Sequence, residues 1–554
     1  MSSVRHSLKT LVLLVALTGT SLAQDSNLGK VVFPTTGSEK AQAHFLRGVA
    51  ALHSFWYEEA LEAFRESTRV EPGFAMGYWG EAMAHNHPLW REQATEEARK
   101  ALEKIKNTDR LTPKERGFID AVRALYGEGD KHARDLAYAA VMEKLYRAYP
   151  DDHEVASFYS LSLLGTVRPG EKGFARQMKA AAIALEVFEE NPNHPGAAHY
   201  IIHAFDDPEH AILALPAARR YAQIAPDAHH ARHMPSHIFL QLGMWPEAAS
   251  SNEVAWKVSA DWVKRKNLHP SKRDYHSLSW LHYIYLQQGR YAKAQDTLAV
   301  IKASLAEPSD MRARRVHQDM AATFLVETEQ WKQADALLSP GAAKAGAEAS
   351  SKGTETDAQH VHGPASGMRG GGGRNPRVAF ARGLAQAHSG ASAEASIAAL
   401  AAIRKQRQAD GDAYEARQVE IMELTVMACA AAKKGNYDEA IQLMKKAVTL
   451  EEEMSPPSGP PDWLKPSHET YGEILLAANR PKEAAAQFAI SLQRQPNRGR
   501  SLLGAARAAA AASGERAGAE AAYSDFLRVW QQADAELPEL REARDYLSQA
   551  KASR

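Results

Sequence analysis

Gly48, Ala60, Phe64 and Pro72 near the start of the chain are matched near its end by Gly472, Ala484, Phe488 and Pro496, with the same spacings of 12, 4 and 8 residues. Two small residues, an aromatic and a helix breaker in one frame mark a repeated unit in which two helices touch closely and proline ends the second. A unit of that size cannot bury its apolar face alone, so such units must stack into an array. A chain of 554 residues is too long for one compact core, and an array removes that difficulty.

With Ala41 as position 1 the marks fall at positions 8, 20, 24 and 32, and counting from Lys465 places the second set identically. This pattern resembles the tetratricopeptide repeat, a helix-turn-helix unit of roughly 34 residues. Between the ends, Gly289, Tyr291 and Ala294 take positions 15, 17 and 20 of a unit starting at Tyr275, as do Gly435, Tyr437 and Ala440 of one starting at Ile421. Residues 75–192 fit with insertions near Thr108 to Lys114 and Gly127 to Lys131, and read as amphipathic helices ending at Pro150 and Pro192. No strand-like alternation persists. The expected fold class is therefore all-α, an α-solenoid of tetratricopeptide-like repeats over most of residues 40–545. The resemblance implies a concave groove that binds a peptide or protein.

Residues 1–23 read as a signal peptide: Arg5, His6 and Lys9 precede the apolar run Leu11 to Leu17, and Ser21-Leu22-Ala23 supplies small residues for cleavage. The expected location is exported, periplasmic or secreted, with no membrane span after cleavage, since no later stretch approaches the ~18 apolar residues of a spanning helix. The chain carries 67 basic and 67 acidic residues, so it has no net field to draw nucleic acid or an anionic membrane. From Ser339 to Pro376 the sequence turns to Ala, Gly and Ser and lacks an apolar face, which predicts a mobile linker. It would separate an N-terminal array (40–338) from a C-terminal one (377–550). Ser455 to Pro461, with four prolines, reads as a spacer between two repeats.

Histidine is concentrated in one place: eight of the 23 lie between His194 and His237. His199 with His203, and His233 with His237, are spaced i, i+4, which stacks two imidazoles on one helix face within reach of a common ion. In the repeat frame, counting from Pro195 and from His229, both pairs take positions 5 and 9, and the resemblance implies that these positions line the groove. Stacked helices lie ~8–10 Å apart, so the four imidazoles could share one ion. His230 is a candidate fifth ligand and His276, at position 2 of the next unit, a sixth. His87 is expected to face the groove and His85 the packing. Pro235 suits only a helix's first turn, which would place His233 ahead of a new helix. For His44, His53, His132, His153, His317 and His468 the ordinary reading of a half-buried polar residue with a hydrogen-bond partner is adopted.

Cys429 is the only cysteine, so a disulfide or multi-thiolate site within the chain is excluded. A nitrogen-rich site without thiolates suits Zn²⁺ or Cu²⁺ better than Mg²⁺ or Ca²⁺. Asp206, Asp207 and Glu209 could orient imidazoles or serve as acid or base, or simply form a turn and helix start. Tyr200 follows His199, so the glutamate of the His-Glu-x-x-His metalloproteases is absent, and neither a nucleophile elbow nor a phosphate-binding loop with its lysine occurs. Trp79, Trp90, Trp245, Trp262 and Trp280 read as repeat packing. The stretches His194 to Tyr200 and His233 to Phe239 resemble those of exported bacterial repeat proteins, which implies a compartment and no chemistry. Two functions remain open: a binding scaffold whose groove incorporates a histidine metal site, and a metal-dependent enzyme using the same histidines. A coordination position open to water would favour the second.

Overall fold

The computed structural model describes residues 27–106, 108–306, 311–339, 375–512 and 514–552. These form an array of antiparallel helix pairs, and among them the strand content is a two-residue ladder between Asn86–His87 and Glu92–Gln93. The expected leader (1–23) and nearly all of the expected linker (339–376) lie outside the described residues.

The marks that define the unit are packing devices. In the first pair, Glu39–His53 and Tyr57–Val70, a Cβ at Gly48 would stand 2.6 Å from the Phe64 ring. Gly80, on the next helix Ala75–Met83, meets the same ring, so Phe64 is held against the glycine of its own unit and that of its successor. The C-terminal copy repeats this arrangement. Phe488 on Pro481–Arg494 meets Gly472, where a Cβ would stand 2.8 Å away, and Gly504 on Gly499–Ala511. Gly289 and Gly435 make the turns between the Tyr275–Gln287/Tyr291–Ala303 and Ala413–Lys433/Tyr437–Glu452 pairs at φ 68° and 82°, where a side chain would be strained.

The array is one continuous stack across the expected linker: Met320 and Leu325 of Met311–Thr328 share a core with Phe380 and Leu384 of Pro376–Ser389. It also closes on itself. Trp245 Nε1 donates to Asn497 O at 2.8 Å and Trp530 Nε1 to Gln287 O at 2.9 Å. Beside them the buried Arg498 forks onto Glu469 at 2.7 and 3.0 Å and reaches Glu327 at 2.8 Å. Between the two limbs lies a cavity of about 1120 Å³. Ser455 to Pro461 does more than space two repeats, because it enters the wall of this cavity. Pro457 O accepts from Gln241 Nε2 at 2.8 Å, and Gly459 packs on Trp280.

Candidate metal centre

Three helix segments bring the histidines together. Pro195–Ala204 starts where His194 Nδ1 accepts the Ala197 N–H, with Pro195 in the first turn, and carries His199 and His203 one turn apart. The next first-helix is broken: His229–His233 ends at Met234, and Pro235–Gln241 begins with its proline in the first turn, as the sequence suggested. The third, Tyr275–Gln287, is capped by Asp274 and carries His276.

The ring nitrogens gather as two triads rather than as one set of four. Those of His199, His203 and His230 lie within 4.8 Å of one another, and so do those of His233, His237 and His276. Each i, i+4 pair therefore acquires a third imidazole from a neighbouring segment. The triads lie side by side, with 5.8 Å between the ring centroids of His203 and His237 and 6.0 Å between those of His230 and His233.

Hydrogen bonds fix which nitrogen carries the proton. His199 Nδ1 lies 2.7 Å from the His53 carbonyl oxygen, which can only accept, so Nδ1 is protonated and Nε2 bears a lone pair. His237 Nδ1 donates to the Asp206 carboxylate at 2.6 Å. His233 Nδ1 donates to Asn252 Oδ1 at 2.7 Å, the Asn252 amide being oriented by its own donation to Ala248 O. Those bonds leave His233 Nε2 and His237 Nε2 as the inward-facing nitrogens, 3.1 Å apart. His276 Nε2 stands 2.9 Å from His233 Nε2, and His230 Nε2 3.1 Å from His199 Nε2. His203 Nε2 is buried and has no hydrogen-bond partner among the described residues.

Converging lone pairs repel unless a cation lies between them. A proton on His233 or His199 is a poor candidate, because burial pushes His233 down to about 3, helped by the neighbouring His237, and pushes His199 to about 3 as well. His203, His230 and His276 are likewise held well below the usual histidine value, first by burial and then by their imidazole neighbours. Aromatic rings flank both sets. Phe55 packs edge-on against His199 with ring centroids 4.3 Å apart and stacks on His203 and His230 at 5.7 Å, while Trp280 covers His237 at 4.2 Å.

A third group, His53, Glu154 and His194, has the spacing of a metal site and the hydrogen bonding of a closed network. The Glu154 carboxylate accepts from His53 Nε2 at 2.8 Å, His194 Nε2 at 3.2 Å and Val32 N at 3.1 Å. His53 Nδ1 meets Tyr200 OH at 2.8 Å, and His194 Nδ1 is taken by the helix cap, so no imidazole lone pair is left over. Burial alone would raise the Glu154 carboxyl, but His194 and His53 more than offset it and hold it well below the usual range. This group supports the first triad through the His53 carbonyl.

The acidic turn divides between its two readings. Asp206 holds His237, whereas Asp207 accepts from Glu209 N and His210 N at 2.9 and 3.0 Å and forms the turn. His87 stacks on Tyr57 at 4.0 Å instead of facing the groove. His153 meets Glu190 at 2.7 Å and His468 meets Gln487 at 2.8 Å, partnered as ordinary polar residues. Trp280, expected in repeat packing, covers a triad. Asn252 and Phe55 carried no sequence signal, since an amide in a helix and an aromatic in a turn are common.

The triads open onto the cavity, whose wall includes His203, Asp206, His230 and His237. Across it lie Glu415, pushed up to about 7 by burial and by Asp412, and Asp462, pushed up to about 6 by burial.

The tetratricopeptide repeat family model matches residues 424–454, which span the Gly435 turn and most of the helix pair around it. No curated protein matches the sequence. Among solved structures, the chain is similar to a monomeric mutant of IFIT1 with Gppp-AAAA at TM-score 0.35 and 13% identity, over 94% of this chain and 92% of that one. It is also similar to yeast Tom70 at TM-score 0.24 and 10% identity, over 93% of this chain and 90% of that one. These likenesses are loose. Residues 424–454 are thus a tetratricopeptide repeat, and the stacked helix pairs with their glycine–phenylalanine contacts make the array an α-solenoid of repeats of that type.

Proposed function

We propose that this protein is an exported tetratricopeptide-repeat scaffold that binds a peptide or protein in its groove and holds a transition-metal ion, zinc or copper, at the histidine array. The observation that carries the metal reading is the convergence of ring nitrogens in a buried site, with His233 Nε2 and His237 Nε2 3.1 Å apart and His276 completing the triad. Their outer nitrogens are anchored by Asn252 and Asp206, the arrangement that orients imidazoles toward a metal and raises their basicity. The donor set is nitrogen, which suits zinc or copper. Ten acidic side chains against six basic ones line the cavity, a balance that concentrates cations at its mouth.

The alternative reading, a metal-dependent enzyme, is favoured by one feature: each triad supplies three nitrogens and borders the cavity, as in sites that keep a fourth position for substrate. A metal ion bound there would supply Lewis acidity. Glu415 and Asp462, with carboxyls raised toward neutrality, could exchange protons with a ligand in the cavity.

Elemental analysis of purified protein, set against a His203→Ala, His237→Ala double variant, tests the metal reading. Zinc or copper should be present in the wild type and lost from the variant. Equal metal in both, or none in the wild type after incubation with either ion, would return these residues to a purely structural role. Export rests on residues 1–23, and mass spectrometry of the mature protein should find its N-terminus near Gln24. An intact Met1 on the soluble protein would refute it. Among the described residues no helix is long and apolar enough to cross a membrane.

A further inference from the structure

We propose that the centre is binuclear, with one transition-metal ion among His233, His237 and His276 and a second, separate ion among His199, His203 and His230. This rests on the metal reading above and adds a second ion to it.

The grouping of donors is the first reason. An ion bound by imidazoles at ~2.0–2.1 Å needs donors no more than about twice that distance apart. Within each triad all three nitrogens lie inside 4.8 Å, and each triad contains contacts well under that limit. The contacts at 2.9 and 3.1 Å run within triads: His276 and His237 to His233, and His230 to His199. Six imidazoles are also more than one four-coordinate ion can use.

The second reason is that each triad has its own supports. His199 is turned by the His53 carbonyl, which is itself fixed by the closed His53–Glu154–His194 network. His233 and His237 are turned by Asn252 and Asp206, on a different helix and a different turn. His203 Nε2, buried and without a hydrogen-bond partner among the described residues, belongs to the first triad, where the ion would satisfy it.

The aromatic walls are separate as well. Trp280 serves the second triad and Phe55 the first. Phe55 sits at φ 52°, a left-handed conformation costly for a bulky residue, which surrounding structure must enforce. That strain places its ring against all three histidines of the first triad. One member of each triad, His203 and His237, meets across the boundary at 5.8 Å between centroids, so the two ions would be neighbours facing one cavity.

The test is stoichiometry. Full-length processed protein is loaded with zinc, passed over a sizing column with excess citrate to strip surface-bound metal, and assayed for zinc per chain. Wild type should retain two ions, and His230→Gln and His276→Gln should each retain one or fewer, with helical circular dichroism confirming that each variant is folded. One ion in the wild type, or a folded variant that still holds two, would overturn the binuclear proposal while leaving the single-ion reading intact. No zinc in the wild type, repeated with copper, would end both. If one variant fails to fold, the wild-type count and the other variant still decide.

Discussion

Asp206 accepts the Nδ1 proton of His237 at 2.6 Å, and in doing so aims the other nitrogen of that ring at His233. The same carboxylate accepts from Gln241 Nε2 at 3.3 Å, and Gln241 in turn donates to the Pro457 carbonyl. A residue that sequence alone would assign to a turn thus links the histidine array to the strap on the cavity wall. Replacing it with asparagine keeps the shape and weakens the acceptor. Asp206→Asn should lower zinc or copper affinity by roughly 10–100-fold with the helical signal unchanged. Unaltered affinity in a competition titration would mean that Asp206 does not support a ligand.

Acid should affect the metal-free protein and the bound metal differently. His199 and His233 are pushed down to about 3 in the fold, mainly by burial, while the unfolded chain titrates near the ordinary value of ~6.5. Below that value the unfolded state takes up protons that the native state refuses. The stability of the metal-free protein should therefore fall progressively from about pH 6.5 toward pH 3. Thermal unfolding between pH 7 and pH 4 measures this, and a flat profile would contradict the burial of neutral imidazoles.

Metal held by unperturbed imidazoles is lost as pH drops below about 6.5, and burial moves that point downward. His199, His203 and His230 are all held well below the usual value, so zinc affinity at that triad should stay within a few-fold between pH 7 and pH 5.5. An exposed pair at ~6.5 would lose about tenfold per histidine over this range. Isothermal titration at the two pH values separates the cases.

The repeat frame has a mechanical test at both ends. Gly48→Ala and Gly472→Ala each drive a methyl group into a phenylalanine ring, Phe64 or Phe488, at 2.6 and 2.8 Å. Each should cost about 1–3 kcal/mol of stability. Gly435→Ala meets nothing within 4 Å and is strained only by its φ of 82°, so it tests the turn without the packing. Chemical denaturation that ranks the two clasp variants as neutral would show that the units do not close as described.

Closure of the array depends on Arg498, which is buried between Glu469 and Glu327. Arg498→Ala strands two carboxylates in the interior and should cost about 3–5 kcal/mol. Arg498→Met with Glu469→Gln leaves one buried carboxylate, Glu327, in place of two and should recover part of that loss. If the single variant is no less stable than the double, the ion pairs are not what joins the limbs.

The helix pairs were legible because their determinants are local in sequence: Gly48 and Phe64, or Gly435 and Ala440, sit at fixed offsets that steric contact demands. The histidine pairs were legible for the same reason, since i, i+4 spacing needs only a helix. Their partition into two triads was not legible, because it depends on the break at Met234, which lets His233 reach His276 from the following unit. Asn252 lies on the second helix of its unit, where one amide among many polar residues carries no signal. Glu415 and Asp462 approach the cavity from about 200 residues away, through a curl of the array that no single repeat encodes.

A metal ion where His233, His237 and His276 converge would be seen by anomalous diffraction from crystals of the purified protein at the zinc or copper absorption edge. A peak within about 2.0–2.1 Å of the Nε2 atoms of His233 and His237 is the predicted result. An absence of anomalous signal from metal-soaked crystals, with water or a proton bridging the two nitrogens at their 3.1 Å separation, would contradict it.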